Sequence, residues 1–397
     1  MLIQILIALL LGVFAGIITG LIPGIHVNLV GIIIISLSVS WFSSIEPIYL
    51  IVFITSMAIT HTFLDFIPSI LLGCPDTDTE LSVLPGHELL KKGLGYEAII
   101  LTAYGSLIAI FLLIFISFPA IIIISKTYDF IKTFIPYFLI IISIMLISIE
   151  KRKLTALGVF LLCGFLGYCV LNMGPEILNQ PLLPLLTGLF GGSMLIISIK
   201  DKILVPKQKI TKPKTKFLKP ILGALIASPL CSFLPGLGSG QAAIIGNTIA
   251  RTNKRGFLIL LGITNTLVMG FSFISLYIIS KTRTGAAVAV QEIIGSLSSR
   301  ILILILIIVF ITGIFCFFLT TFLAKFFSQK IHKINYTKIS LATLFILIVI
   351  VFLVSGFWGI IVLAASTLTG YYCISLKVKR TNMMGCLLIP TILLYLI

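Results

Sequence analysis

Charge is the scarcest commodity in this chain. Only 10% of its 397 residues are Asp, Glu, Lys or Arg, and none of them precedes Glu46. Soluble domains carry about 25%, so an ordinary soluble domain is excluded. Four histidines (His26, His61, His87, His332) occur without H-x-x-x-H spacing, and seven cysteines occur without C-x-x-C spacing. Neither a metal centre nor a disulfide framework is supported, and the cysteines read as small packing residues. No G-x-x-x-x-G-K-[ST] segment is present, so nucleotide hydrolysis is not the expected source of energy. Met1–Ile22 lacks a basic leader region and a small-residue cleavage site, and is expected to belong to the mature fold.

What the chain has is apolar length. Hydrophobic residues make up 59% of it, in runs such as Leu101–Ser125, Ile301–Ala324 and Leu341–Ser355. Such runs suit a hydrocarbon core of about 30 Å. The expected fold is an all-α integral membrane protein, multi-pass in the cell membrane. The net charge of +16 sits in short loops between spans, which orients the chain in the bilayer and gives no reason to expect a nucleic-acid partner.

Read in order, Met1–Ile22 ends at Pro23-Gly24, and a shorter apolar piece, Leu29–Val39, follows His26 and Asn28. A Pro-Gly break between short apolar pieces suggests a re-entrant hairpin or a discontinuous helix. Pro47–Gly73 is the next span, and further spans are expected near 98–125, 132–149, 153–171 and 184–199. Lys200–Lys219, with eight lysines and with Pro206 and Pro213 inside it and Pro220 just after, reads as a solvated cytoplasmic linker. The pattern then restarts. Ile221–Phe233 ends at Pro235-Gly236, a short piece runs to Ala250, and spans are expected near 257–280, 299–325, 339–355, 357–374 and 383–397.

Each half thus holds about seven apolar segments, giving a repeat at 1–199, a linker at 200–219 and a second repeat at 220–397. The halves also correspond in residues. Residues 16–28 parallel 224–240 at their Pro-Gly pairs, and Asp76-Thr77-Asp78-Thr79 parallels Lys281-Thr282-Arg283-Thr284. The basic clusters Glu150–Lys153, Arg251–Arg255, Lys325–Lys338 and Lys377–Arg380 should share the linker's side, provided each Pro-Gly hairpin crosses an even number of times. Loop 74–97 would then face inside and loop 281–298 outside, making the repeats inverted, an architecture of secondary transporters.

One stretch concentrates polar chemistry. Between Ile70 and Gly93, Pro75 ends the preceding helix, Thr77-x-x-Glu80 reads as a capping box, and Pro85-Gly86 is expected to stop or kink the new helix. A fresh helix N-terminus there would offer free amide groups to an anion. At the Pro-Gly tips, glycine lets backbone approach a ligand, and the candidates are Pro23, Gly24, His26, Asn28, Pro235, Gly236, Gly238, Ser239 and Gln241, together with Thr77 and Thr79. Asp65, in an apolar span beside His61 and Thr62, is a candidate ion-coupling carboxylate, its plain alternative being a hydrogen-bonded polar cluster. Asp76 and Asp78 could pair with Lys281 and Arg283 as a gate, or both turns could be solvated loops that never meet.

At these motifs the sequence resembles the large permease subunit of the tripartite tricarboxylate transporters. Gly16, Gly20, Pro23 and Gly24 match its Gly-x-x-x-Gly-x-x-Pro-Gly motif, Ile70–Thr77 with Lys91-Lys92-Gly93 its second motif, and Leu234-Pro235-Gly236-Leu237-Gly238 its Leu-Pro-Gly-x-Gly motif. Asp76 and Asp78 stand where that family usually has Gly and Pro. The resemblance implies a permease with a solute-binding protein and a small membrane subunit as partners. The expected function is secondary transport of a small organic anion, plausibly a di- or tricarboxylate, on a proton or sodium gradient and without a cofactor. An alternative is a polyprenyl-phosphate lipid-carrier translocase, for which Lys281 and Arg283 would serve the headgroup. A membrane-embedded enzyme would need acids, histidines or a nucleophile clustered at one depth, and no such cluster is evident.

Overall fold

The structure is a computed structural model that describes residues 2–22, 27, 30–31, 34, 45–73, 78–200, 205–211, 213, 215–233, 238–280, 284–333 and 336–396. Among these, no strand occurs, and seven helices are long and apolar enough to cross a membrane. The first half contains α1 (Leu2–Leu21), α2 (Pro47–Leu64), α3 (Phe66–Leu72), α4 (Val83–Lys91), α5 (Gly95–Ser148) and α6 (Lys153–Leu171). It ends with α7 (Leu182–Leu186), which runs through a wide turn at Thr187–Gly192 into α8 (Ser193–Lys200). The second half contains α9 (Leu218–Phe233), α10 (Ser239–Ala250), α11 (Lys254–Ile279), α12 (Gly285–Ile294), α13 (Ser299–Lys330), α14 (Tyr336–Ser375) and α15 (Gly385–Leu396).

Two elements form the centre. The apolar stretches of Pro47–Leu72 and of α11 are each 94% buried, against 33% to 39% in the other long helices. The outer helices turn side chains such as Phe115, Phe118 and Phe318 outward, as lipid-facing surfaces require. Small residues let the helices touch. A Cβ on Gly12 would stand 2.0 Å from Ser56 Oγ, so α1 lies directly against α2.

The second Pro-Gly pair lies outside the described residues, and the helices on either side of it, α9 and α10, are the two legs of a hairpin. α9 and α10 pack on each other at Gly223 and Gly246, and Pro220 at the start of α9 touches Gly256 at the start of α11. With 16 and 12 residues, the legs span about 24 and 18 Å at 1.5 Å per residue, too short to cross. Both ends therefore open on one face. Three of the four basic clusters expected to share a side, Arg251–Arg255, Glu150–Lys153 and Lys377–Arg380, gather there. Lys254 pairs with Glu88, Arg255 Nε donates to Glu97 Oε1 at 2.6 Å, and Lys379 N donates to Glu150 Oε1 at 3.1 Å.

Some expectations hold in detail and others are corrected. The spans placed at 98–125 and 132–149 both lie in α5, a helical stretch of 54 residues whose apolar parts are Gly95–Tyr128 and Pro136–Ser148. Straight, it would be about 80 Å long. Yet Glu97 near its start bonds Arg255, while Leu146 near its end shares a cavity with Lys254. The helix must fold back, and Pro119 and Pro136, lacking amide donors, lie between its ends. Similarly α14 holds both 339–355 and 357–374 as two helical stretches that meet at Gly356, whose φ of 65° is not helical, between the two expected spans. Pro85-Gly86 does not stop its helix. It lies in the first turn of α4, where proline is tolerated, after a 3-10 turn at Glu80–Ser82. The linker is not wholly solvated either. Gln208 is buried, accepting from Gly95 N at 2.7 Å and donating to Leu90 O at 3.1 Å.

Contacts of similar kind occur in both parts of the chain. Thr79 hydrogen-bonds Ser69 on the preceding central helix at 2.6 Å, and Thr284 hydrogen-bonds Ser272 at 2.7 Å. Gly167 in α6 abuts the Cys386 carbonyl in α15, and Gly370 in α14 abuts the Leu189 carbonyl after α7.

Candidate functional site

The central helix of the first half loses one backbone hydrogen bond where its polar residues concentrate, while Asp65 keeps helical angles. Pro68 has no amide to offer the Leu64 carbonyl, four residues back, and its ring crowds that carbonyl. α2 accordingly ends at Leu64, Asp65 forms a turn, and α3 resumes at Phe66. Asp65 is 2% exposed. Its Oδ2 accepts from Asn265 Nδ2 of α11 at 2.8 Å, and His61 Nε2 lies 4.0 Å away. Thr266 donates to the Thr62 hydroxyl at 3.2 Å beside it. A carboxylate, an imidazole, an amide and two hydroxyls thus meet between the two most buried helices. Ionisable groups at such depth are costly to keep and mark function in membrane proteins.

The motif loop extends this cluster. α3 ends at Gly73, whose φ of 70° takes the chain out of the helix before Pro75. The loop re-enters at Asp78 and Thr79. The Thr79 hydroxyl is held by Ser69, whose own hydroxyl also donates to the Asp65 carbonyl at 2.7 Å. Ser82 Oγ donates to the Thr79 carbonyl at 2.7 Å. Thr79, a substrate candidate, is therefore occupied in fixing the loop on the central helix.

The second hairpin tip meets the loop from the other half. Ser239, at the first turn of α10, donates to Asp78 Oδ1 at 2.8 Å and lies 3.1 Å from the Asp78 carbonyl. A Cβ on Gly238 would stand 3.5 Å from Asp78 Oδ1. Gln241 Oε1 accepts from Gly238 N at 2.7 Å, half of a capping box, and its Nε2 faces Met384 Sδ at 3.5 Å. Asp78 therefore sits at the positive end of a helix dipole, the place that favours an anion. Its described contact is with the hairpin tip, while Lys281 and Arg283, the partners expected from sequence, lie outside the described residues.

Of the residues named from sequence, the structure brings together Asp65, Asp78, Thr79, Gly238, Ser239 and Gln241. Pro23, Gly24, His26, Asn28, Asp76, Thr77, Pro235, Gly236, Lys281 and Arg283 lie outside the described residues. The first tip does begin close by, since Gly20 packs against Leu64 and the Asp65 amide. Asn265 was missed from sequence. Its signal was a single carboxamide inside the apolar run of α11, the kind of buried polar residue that points to a site. The Glu97–Arg255 pair was missed too, hidden at a span's edge where charges usually face water.

Comparisons with known proteins come to bear on this geometry. The model of a family described as the tripartite tricarboxylate transporter TctA family matches residues 6–385. The chain is also similar to an uncharacterized protein of Methanocaldococcus jannaschii, 31% identical over 358 residues, which are 87% of this chain and 88% of that protein. No solved structure matches it.

Proposed function

Because the chain belongs to the tripartite tricarboxylate transporter TctA family, we propose that it moves a small organic anion, a di- or tricarboxylate, between the hairpin tip at Ser239 and the motif loop at Asp78. The protein is a multi-pass membrane subunit of a transporter family whose members work with a solute-binding protein and a small subunit. Those two components would be the partners of this chain. The observation that carries the substrate reading is Asp78 itself. Its carboxylate occupies the N-terminal end of α10 and takes the Ser239 hydroxyl, so it stands in for a substrate carboxylate in the same chemistry.

Transport on this reading is an exchange of carboxylates. Substrate arriving at the tip displaces Asp78, and the motif loop, tethered through Thr79 and Ser69 to the central helix at Asp65, moves with it. Asp65, held by Asn265, is the group that would bind the coupling proton or sodium ion. The two halves, 1–199 and 220–397 around the linker 200–219, would act as inverted repeats. Contacts of similar kind support this: Ser69–Thr79 with Ser272–Thr284, and Gly167–Cys386 with Gly370–Leu189. Alternating access would be the rocking of these halves about the central helices.

The test is ligand-dependent thermal stabilisation of purified protein with a panel of mono-, di- and tricarboxylates and inorganic anions. At about 100-fold excess over Kd, a ligand adds about 2.7 kcal/mol. Stabilisation by di- or tricarboxylates, lost in Ser239→Ala, is expected. Stabilisation by none of the carboxylates would overturn the substrate class.

A further inference from the structure

A second polar region lies away from the hairpin tip, on the basic face. A cavity of about 330 Å³ opens between α4, the end of α5, the end of α10, the start of α11 and the 3-10 turn Arg380–Met384. Its charged lining is Lys254, Lys379 and Arg380 against a single acid, Glu88, which already pairs with Lys254. Arg380 is the informative residue. Its Nη1 is fully buried without a hydrogen-bond partner among the described residues, and its Nη2 faces only the weak acceptor Met194 Sδ. A guanidinium carries five donors, and leaving a buried charged donor unmet is expensive. The rest of the wall is apolar, formed by residues such as Leu146, Ile149 and Phe257.

We propose that this cavity binds an oxyanion of the phosphate type that carries an apolar group, with the charge of Arg380 drawing the anion inward, Lys379 at the rim, and the apolar wall holding the remainder. Three cations against one acid that is already paired leave the cavity with net positive charge, and the buried guanidinium lacks a counter-charge among the described residues. The position suggests what binding does. The turn that begins with the cavity's Arg380 ends at Met384, which touches Gln241 beneath the hairpin tip. α10 joins the two places as well, with Ser239 at the tip and Asn247 and Thr248 in the cavity wall. A ligand in the cavity would therefore fix the two elements that position the tip. The chemistry has two sources, an anionic lipid headgroup or a soluble phosphate compound.

The experiment uses the full-length purified protein. Thermal stability is read in vesicles of phosphatidylglycerol and of phosphatidylcholine, and in phosphatidylcholine vesicles with added inorganic phosphate or phenyl phosphate. Wild type is expected to gain stability in one of the anionic arms, and Arg380→Gln to weaken that effect roughly tenfold in apparent affinity. Gain only with phosphatidylglycerol identifies a lipid, and gain with the soluble phosphates identifies a free ligand. Where Arg380→Gln cannot be obtained folded, Lys379→Gln, an exposed rim residue, carries the same comparison. No gain in any arm for wild type, or a gain unchanged in the variant, would overturn the site.

Discussion

The hydroxyl of Ser239 donates to the carboxylate of Asp78 at 2.8 Å, joining residues 161 positions apart in the chain. The contact closes the second hairpin tip onto the motif loop of the first half. On the proposed function it is a latch that substrate must open, and an intramolecular ligand of this kind lowers apparent affinity by the fraction of time the site is occupied.

Asp78→Asn should loosen that latch, because a neutral amide competes less well than a carboxylate at a helix N-terminus. Apparent affinity for a dicarboxylate should rise roughly tenfold in equilibrium binding. Ser239→Ala should lower it, since the hydroxyl would serve substrate as it serves Asp78. A fall in affinity for both variants would mean that Asp78 belongs to the binding surface and is no latch.

Asp65→Asn should keep binding but lose concentrative uptake. The carboxamide can still meet Asn265, yet it cannot take a proton or hold a cation. Substrate counterflow in proteoliposomes should persist while gradient-driven accumulation disappears. Retained accumulation would remove Asp65 from the coupling role.

His87 is 6% exposed, and burial, with Arg380 and Lys91 nearby, pushes its pKa down to about 4 from 6.5. Its folded pKa lies below the unfolded one, so the unfolded state binds more protons between these values. Stability from this group is full above about pH 6.5 and declines as pH falls toward 4, by on the order of 3 kcal/mol. Thermal unfolding in detergent should be markedly easier at pH 4.5 than at pH 7, and His87→Gln should flatten the dependence. An unchanged slope in the variant would assign the acid sensitivity elsewhere.

Topology offers an independent check. Lys92→Cys and Ser296→Cys place thiols at exposed positions in the two matching loops. In a background without the native exposed Cys169, an impermeant reagent should reach Lys92→Cys only from the face that carries the linker. It should reach Ser296→Cys only from the opposite face. Labelling of both from one side would rule out the inverted arrangement.

Much of the fold was legible because long apolar runs and Pro-Gly breaks act locally. α9 and α10 are short legs packed on each other, and that shortness is readable in the residues themselves. The turn at Asp65 was not anticipated, although Pro68 was in plain view, since its effect falls on a carbonyl four residues earlier. Residues whose role depends on a distant partner were the least legible. Asp78 gives no hint of Ser239, nor Gln208 of Gly95, because those pairings arise only when the halves come together. Asn265 could have been found as a solitary amide among aliphatic neighbours.

Gly167→Val and Gly370→Val should both be severe. A Cβ at Gly167 would stand 1.9 Å from the Cys386 carbonyl, and one at Gly370 2.3 Å from that of Leu189. In each case backbone, which cannot swing aside, is the obstacle, so the cost should exceed the roughly 1–3 kcal/mol of ordinary overpacking. Loss of folded protein on size-exclusion chromatography is expected for each, and normal yields would show that these crossings tolerate separation.

These crossings also set an order of events during synthesis. The face of α6 that bears Gly167 is filled by α15, the last helix described, and the groove of α14 at Gly370 receives the turn after α7. α6 leaves the ribosome more than two hundred residues before its partner exists. Until then its small-residue face must wait in the lipid or be shielded by the insertion machinery. The first half is thus a guest awaiting its host, and cutting the chain at the linker should yield two fragments that assemble only when made together.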